Sequence, residues 1–214
     1  MNTCQNTPVL TEGDLLLRRF TEGDIPALFA LYADREINKF LPWFPLETQA
    51  QAEALFREKY ETFYRNPVGY RYAVCLQADD LPIGYIHLET DGAHDLGYAL
   101  RREFWGQGIM TRAARMVLAQ AKADGMPFVT ATHDRENPRS GAVMQRLGMR
   151  YAYSYTELWQ PKNIPVVFRM YQISFDPAAP LYTVYKQQAK QWFVEEPVPA
   201  FQTLHNKRDG KALL

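Results

Sequence analysis

Two cysteines in 214 residues, Cys4 and Cys75, are too few and too far apart for a disulfide framework, and no Cys-x-x-Cys pair stands near histidines to hold zinc. The four histidines, His87, His94, His133 and His205, do not recur at ligand spacing, so no metal is expected. Charge of one sign is also missing. The 24 basic and 24 acidic residues cancel, and no basic stripe marks a nucleic-acid surface. No apolar run approaches the ~18 residues of a membrane span. The first fourteen residues lack the charged start and apolar centre of a signal peptide. These absences lead to the expectation of a cytoplasmic chain with neither nucleic-acid nor membrane partners.

What is present is a globular composition, 47% apolar and 22% charged, which suits one large domain with an appendage. Residues 15–20 read as a first strand. Asp24 caps a short helix to Tyr32, with Pro26 tolerated in its first turn. Prolines break the apolar segment 39–45 into a loop. Thr48 and Gln51 form a capping box that opens a helix to about Tyr64. Strands follow over 70–77 and 83–89, joined by the turn at Asp79–Pro82, and then over 96–100. Met110, Ala113, Ala114, Val117, Leu118 and Ala121 fall on one helix face, ended by Gly125 and Pro127. A strand over 128–132 precedes a helix with Asn137 as N-cap and Pro138 as its first residue. Val143, Met144 and Leu147 form its buried edge. Two last strands span 151–159 and 166–174.

The strand–helix–strand order around residues 96–132 implies a parallel pair with a right-handed crossover. The fold class expected is mixed α/β: a mostly antiparallel sheet of about six to seven strands with helices on both faces. Residues 1–175 form the domain. Residues 176–214 form an extension, in which Tyr182, Tyr185, Ala189 and Trp192 share one side of a helix before a polar tail from about Gln202. That aromatic helix could serve as a dimerisation arm, so a homodimer is one expectation.

Between the strand at 96–100 and the helix after it lies Trp105-Gly106-Gln107-Gly108-Ile109-Met110-Thr111. A helix beginning at Thr111 has N–H groups without intrahelical partners and a partial positive charge at that end. Gly106 and Gly108 remove side chains just ahead of it, so an anion could reach the backbone. A tight turn explains the glycines equally well. The phosphate-loop signature needs a Lys followed by Ser or Thr, and the dinucleotide pattern needs a third glycine where Thr111 stands; neither is met.

Residues 96–125, LGYALRREFWGQGIMTRAARMVLAQAKADG, resemble the coenzyme-binding motif of the Gcn5-related N-acetyltransferases (GNAT). The family pattern (Gln/Arg)-x-x-Gly-x-(Gly/Ala) falls on Trp105, Gly108 and Met110, and only Gly108 matches strictly. Trp-Gly-x-Gly is similar to the ribosomal-protein acetyltransferase branch (RimJ/RimL-like). So is HDRENPRSGAVMQRLGM at 133–149, with its Asn-x-x-Ser helix start, and so is FLPWFP at 40–45. The resemblance spans about residues 12–175.

The resemblance implies acetyl-coenzyme A as cosubstrate and an amine acceptor. It places Leu100, Trp105, Gly106, Gln107, Gly108, Ile109, Met110, Thr111, Asn137 and Ser140 against the coenzyme. It also implies that the strands on either side of the acetyl arm splay. A free N–H near residues 98–100 would then polarise the thioester carbonyl. The tyrosine that many members use to protonate the leaving thiolate is replaced by Met144, which leaves Ser140 as the substitute. Glu89 and Glu157 are the candidate general bases, with His87 and His133 in reserve. Trp43 and Phe44 either wall the acceptor pocket or pack the core. Arg101, Arg102, Arg112 and Arg115 flank the loop. The acceptor is a protein N-terminus or a small-molecule amine. A coenzyme-binding module without turnover is the alternative.

Overall fold

Strand β3 (Tyr70–Leu76) explains the layering of the molecule. Its side chains alternate between faces: Tyr70, Tyr72 and Val74 enter one apolar cluster, while Ala73 and Cys75 enter another. The first cluster is sealed by a long helix, α3 (Ile109–Ala123), and the second by α1 (Ile25–Ala33) and α2 (Gln49–Phe56). Helices therefore lie on both faces, as the mixed α/β expectation has it. The structure is a computed structural model and describes residues 5–196. Cys4 and the tail expected from Gln202 lie outside the described residues.

The strands fall into two leaves. The first is an antiparallel meander of β1 (Leu10–Glu12), β2 (Leu15–Arg18), β3, β4 (Pro82–Leu88) and β5 (Leu96–Leu100). The second has the order β6 (Phe128–Asp134), β8 (Ile164–Ser174), β7 (Arg150–Trp159), β9 (Trp192–Phe193). Helix α4 (Pro138–Arg146) connects β6 to β7. All six apolar positions expected on the α3 face are buried, together with Ile109 and Met116.

Three expectations are corrected. The parallel pairing of β5 with β6 shrinks to one bridge, Asp95 with Thr130. Beyond it, each facing edge is capped within its own leaf. The Trp105 indole takes the Leu100 carbonyl at 2.7 Å, and the Asn137 N–H takes the Asp134 carbonyl at 2.8 Å. The helix expected to reach Tyr64 leaves α geometry after Phe56, because the Thr62 N–H and hydroxyl both bond the Arg57 carbonyl, widening the turn. The C-terminal helix is short, α5 (Val184–Gln188), and Trp192 lies instead on β9 against Ser154 and Tyr155. The open edge of β7 offers unpaired backbone groups, and the chain completes them.

Tyr182, Tyr185 and Ala189 do share one side, but that side packs on Tyr153, Tyr155 and Phe168 of the same chain. The aromatic face expected of a dimerisation arm is thus covered internally. Glu195 fastens this extension. Its carboxylate accepts from the Arg169 guanidinium and from the buried Ser154 hydroxyl at 2.8 Å, while its N–H donates to the Tyr151 hydroxyl at 2.9 Å.

Glu195→Ala leaves Arg169 and Ser154 without their shared acceptor and should lower stability by about 2 kcal/mol, read as a lower urea midpoint. Arg169 holds the Glu195 carboxyl below its ordinary range. Its contribution is therefore complete above the unfolded value near ~4.3 and fades as pH falls below it. An unchanged midpoint at pH 7 would show that the extension is not fastened there.

Candidate functional site

The loop from β5 into α3 is shaped by two glycines in left-handed backbone, Gly106 at φ +76 and Gly108 at φ +74. A residue with a Cβ is disfavoured in that region. With Gln107 between them, the alternation turns successive N–H groups to one side, the arrangement that makes an anion nest. None of the six N–H groups from Gly106 to Thr111 has an acceptor among the described residues. A Cβ added at Gly106 or Gly108 would meet nothing within 4 Å. Ile109, Met110 and Thr111 bury their side chains, so this first turn of α3 presents only backbone outward. The tight turn thus leaves free the amides that an anion cradle requires.

Trp105 closes the loop from behind. Its indole spans back to Leu100, and the Arg139 guanidinium lies 5.0 Å from its ring centroid. Gln107 donates to the Glu103 carbonyl, which steadies the turn. Of the flanking cations, Arg112 is held by Asp14, Arg102 by Asp34 and Arg101 by Glu103. Arg115 has no such partner among the described residues, and Arg139, which the sequence did not single out, is the arginine stacked at the site.

The edge of β5 that faces β6 follows from the antiparallel alternation. Asp95 and Arg101 bond to β4 through the Glu89 N–H and the Ile83 carbonyl, so the odd-numbered residues spend their backbone groups there. The Leu96 N–H faces β6 at the bridge, and the N–H groups of Tyr98 and Leu100 point into the opening between the leaves. Side chains alternate as well. Tyr98 lies on the α3 face, whereas Asp95 and Ala99 lie on the α1/α2 face.

On the α3 face Tyr98 meets Ser140. The Tyr98 hydroxyl donates to the Ser140 carbonyl at 2.9 Å and lies 3.0 Å from the Ser140 Oγ. Burial raises the Tyr98 phenol above its ordinary range. Asn137 caps α4, its Oδ1 accepting from the Ser140 N–H at 3.4 Å. Met144 is in the core. Ser140 is therefore joined to β5 by a tyrosine that sequence reading used only for its backbone.

The carboxylates separate by environment. Glu89 is held by Arg71 at 3.2 Å, which ties up one expected base. Glu157 lies on β7 beside Tyr155, exposed as a residue; partial burial of its carboxyl raises its pKa, and no ion pair engages it among the described residues. Asp95 was missed altogether. It sits half-buried at the bridge where the leaves part, 3.4 Å from the Thr130 Oγ1. Burial first, and the Glu89 charge second, push its carboxyl up to about 7. The only signal in the sequence was a carboxylate directly before an apolar strand.

On the α1/α2 face, Trp43 donates to the Asn38 Oδ1 at 2.8 Å and stacks on Tyr32, so it packs the core side of this wall. Phe44 is 61% exposed and lines an open hollow. His87 lies 2.9 Å from the Tyr60 hydroxyl, and burial lowers its pKa well below the ordinary value. His133 is buried beside Asp134, with its pKa lowered by burial. Neither histidine opens on the nest. No helix among the described residues is long and apolar enough to cross a membrane.

Residues 14–150 match the acetyltransferase (GNAT) domain family. The uncharacterized N-acetyltransferase YoaA of Bacillus subtilis (strain 168) is 22% identical over 148 residues, covering 67% of this chain and 83% of that protein. Among solved structures, an acetyltransferase (GNAT family) from Bacillus anthracis superposes with a TM-score of 0.67 at 20% identity, covering 78% of this chain and 99% of that one. Spermidine N-acetyltransferase from Vibrio cholerae, in complex with CoA and spermine, superposes with a TM-score of 0.64 at 16% identity, covering 76% and 96%. The mixed fold, the splayed leaves and the amide nest at α3 agree with the match that covers most of the chain: it belongs to the GNAT acetyltransferase family.

Proposed function

We propose that this chain transfers the acetyl group of acetyl-coenzyme A directly to a primary amine, as a RimJ/RimL-like N-acetyltransferase whose working unit is residues 1–175 with 176–214 as an extension. The observation that carries this reading is the run of six unpartnered N–H groups over two left-handed glycines, open on the side a pyrophosphate would occupy. Acetyl-coenzyme A supplies the activated thioester. The N–H groups of Tyr98 and Leu100 on the free edge of β5 are placed to polarise its carbonyl. Trp105 and Asn137 hold the two ends of that opening.

Residues on opposite faces of β5 take opposite proton tasks. Asp95, on the α1/α2 face, accepts the amine proton as the nitrogen–carbon bond forms. On the α3 face, the Tyr98–Ser140 pair supplies a proton to sulfur as the carbon–sulfur bond breaks. The second task is light, because a thiol of pKa about 8.5 leaves readily near neutral pH. The first is heavier for an amine protonated at pH 7, and a carboxyl titrating near 7 is matched to it. Glu157 is the alternative base.

Gly106→Ala places its methyl clear of protein atoms but in left-handed backbone, so the fold should survive with a stability loss of about 1 kcal/mol, and the methyl intrudes on the nest. Affinity for acetyl-coenzyme A should fall about tenfold or more, equivalent to about 1.4 kcal/mol, by calorimetry; equal affinity would remove the loop from coenzyme binding. Ser140→Ala should slow thiol release while coenzyme affinity is kept, and an equal rate would take Ser140 out of the reaction.

Asp95→Asn should reduce kcat by about a hundredfold or more and abolish the rise of kcat with pH around 7. Glu157→Gln should leave that rise in place, and the reverse pattern would transfer the role to Glu157. Stability gives an independent check. The folded pKa of Asp95 is raised, so its contribution is complete below the unfolded value near ~3.9 and is lost as pH climbs through about 7. Asp95→Asn should therefore match or exceed wild-type stability at pH 8, and gain nothing at pH 4.

A further inference from the structure

The loop between α1 and α2 is tied to both leaves at once. At one end Asp34 pairs with Arg102 at 3.0 Å, directly after β5. At the other, Lys162 from the β7–β8 turn donates to the Asn38 carbonyl at 3.0 Å and the Lys39 carbonyl at 3.5 Å. Asn38 makes this loop rigid. It is 1% exposed, its Nδ2 donates to the carbonyls of Leu31 and Asp34, and its Oδ1 accepts from Trp43. The bridge therefore joins the two leaves beyond the C-terminal end of β5, the end opposite to Asp95.

A hollow of about 460 Å3 is set in this bridge, a volume suited to a small molecule. Its lining carries three cations, Arg35, Lys39 and Lys162, against one carboxylate, Glu47, with Phe44 as its exposed apolar wall. None of the three cations has a carboxylate partner among the described residues. Lys162 bonds only to carbonyls, and burial lowers its pKa. In a chain whose charges cancel overall, an unneutralised cluster of one sign in a concave site is a feature that selects a ligand by charge.

Resting on the transfer reading above, we propose that the acceptor is a small amine bearing a carboxylate or phosphate. That anion is held by Lys162, Lys39 and Arg35, with Phe44 covering the body of the molecule and the amine directed toward β5. A polyamine would place its charges against the same three cations.

The test compares matched amines at saturating acetyl-coenzyme A and low ionic strength, following thiol release. L-phenylalanine is set against its carboxamide, phosphoethanolamine against ethanolamine, with spermidine and an acidic peptide alongside. The anionic member of at least one pair should be favoured about tenfold or more in kcat/KM, and which pair responds separates carboxylate from phosphate. Among the described residues the Arg35 and Lys39 side chains make no hydrogen bond or ion pair, and Lys39 only lies over the Phe40 ring, so the double variant Arg35→Gln/Lys39→Gln should fold normally, raise KM for the anionic amine and erase the preference. Equal rates within both pairs, a preference for spermidine, or use of the acidic peptide alone would overturn the proposal. Calorimetry with the same amines needs no turnover. Charge-dependent binding without thiol release would overturn the transfer reading and leave the anion site standing, whereas thiol release with no charge dependence would do the opposite.

Discussion

Everything that makes this chain more than a layered α/β domain follows from how little joins β5 to β6. One parallel bridge, Asp95 with Thr130, is the single backbone bridge between the two leaves among the described residues. Past it, the facing edges carry backbone groups that neither leaf uses internally. Buried polar groups without partners are costly, so such an edge persists only where water or a ligand meets it. The outer ends of the two strands are nevertheless fixed, by Trp105 on Leu100 and by Asn137 on Asp134. The opening is a built feature of the fold.

That same bridge sorts the chemistry. Strand alternation sends Tyr98 toward Ser140 and the α3 face, and sends Asp95 to the other face, beside Thr130 and Tyr185. The proposed acid and base are thereby kept on opposite faces without any long-range device. The extension beyond residue 175 supports the second leaf from the side away from the nest, through the Tyr155–Tyr185 stack and the Glu195 clasp. It also brings Tyr182 and Tyr185 to the apex, where burial first, and then the Asp91 and Asp95 charges for Tyr182 and the Asp95 charge for Tyr185, raise their phenols.

Much of this was legible in the chain because it is local. The α3 face, the Thr48 and Asn137 caps and the extent of β5 depend on residues a few positions apart. The glycine loop was legible too, since positive φ is a local demand that glycine meets. What escaped depends on contacts between distant segments. Asp95 is only a carboxylate before a strand until Thr130 and Glu89 surround it. Arg139 gains meaning from Trp105, 34 residues away in sequence, and Trp192 becomes a strand residue only when β7 presents an edge. Glu89 was a reasonable base until Arg71 was seen to hold it.

The central claim is that backbone N–H groups of residues 106–111, unpaired among the described residues, bind the coenzyme. Amide-resolved NMR of the full chain on addition of coenzyme A tests it directly. The account predicts that the amides of Gly106 to Thr111 shift and gain protection from exchange together, ahead of any other contiguous segment. Binding that leaves those six amides unmoved, while perturbing another part of the molecule, would contradict it.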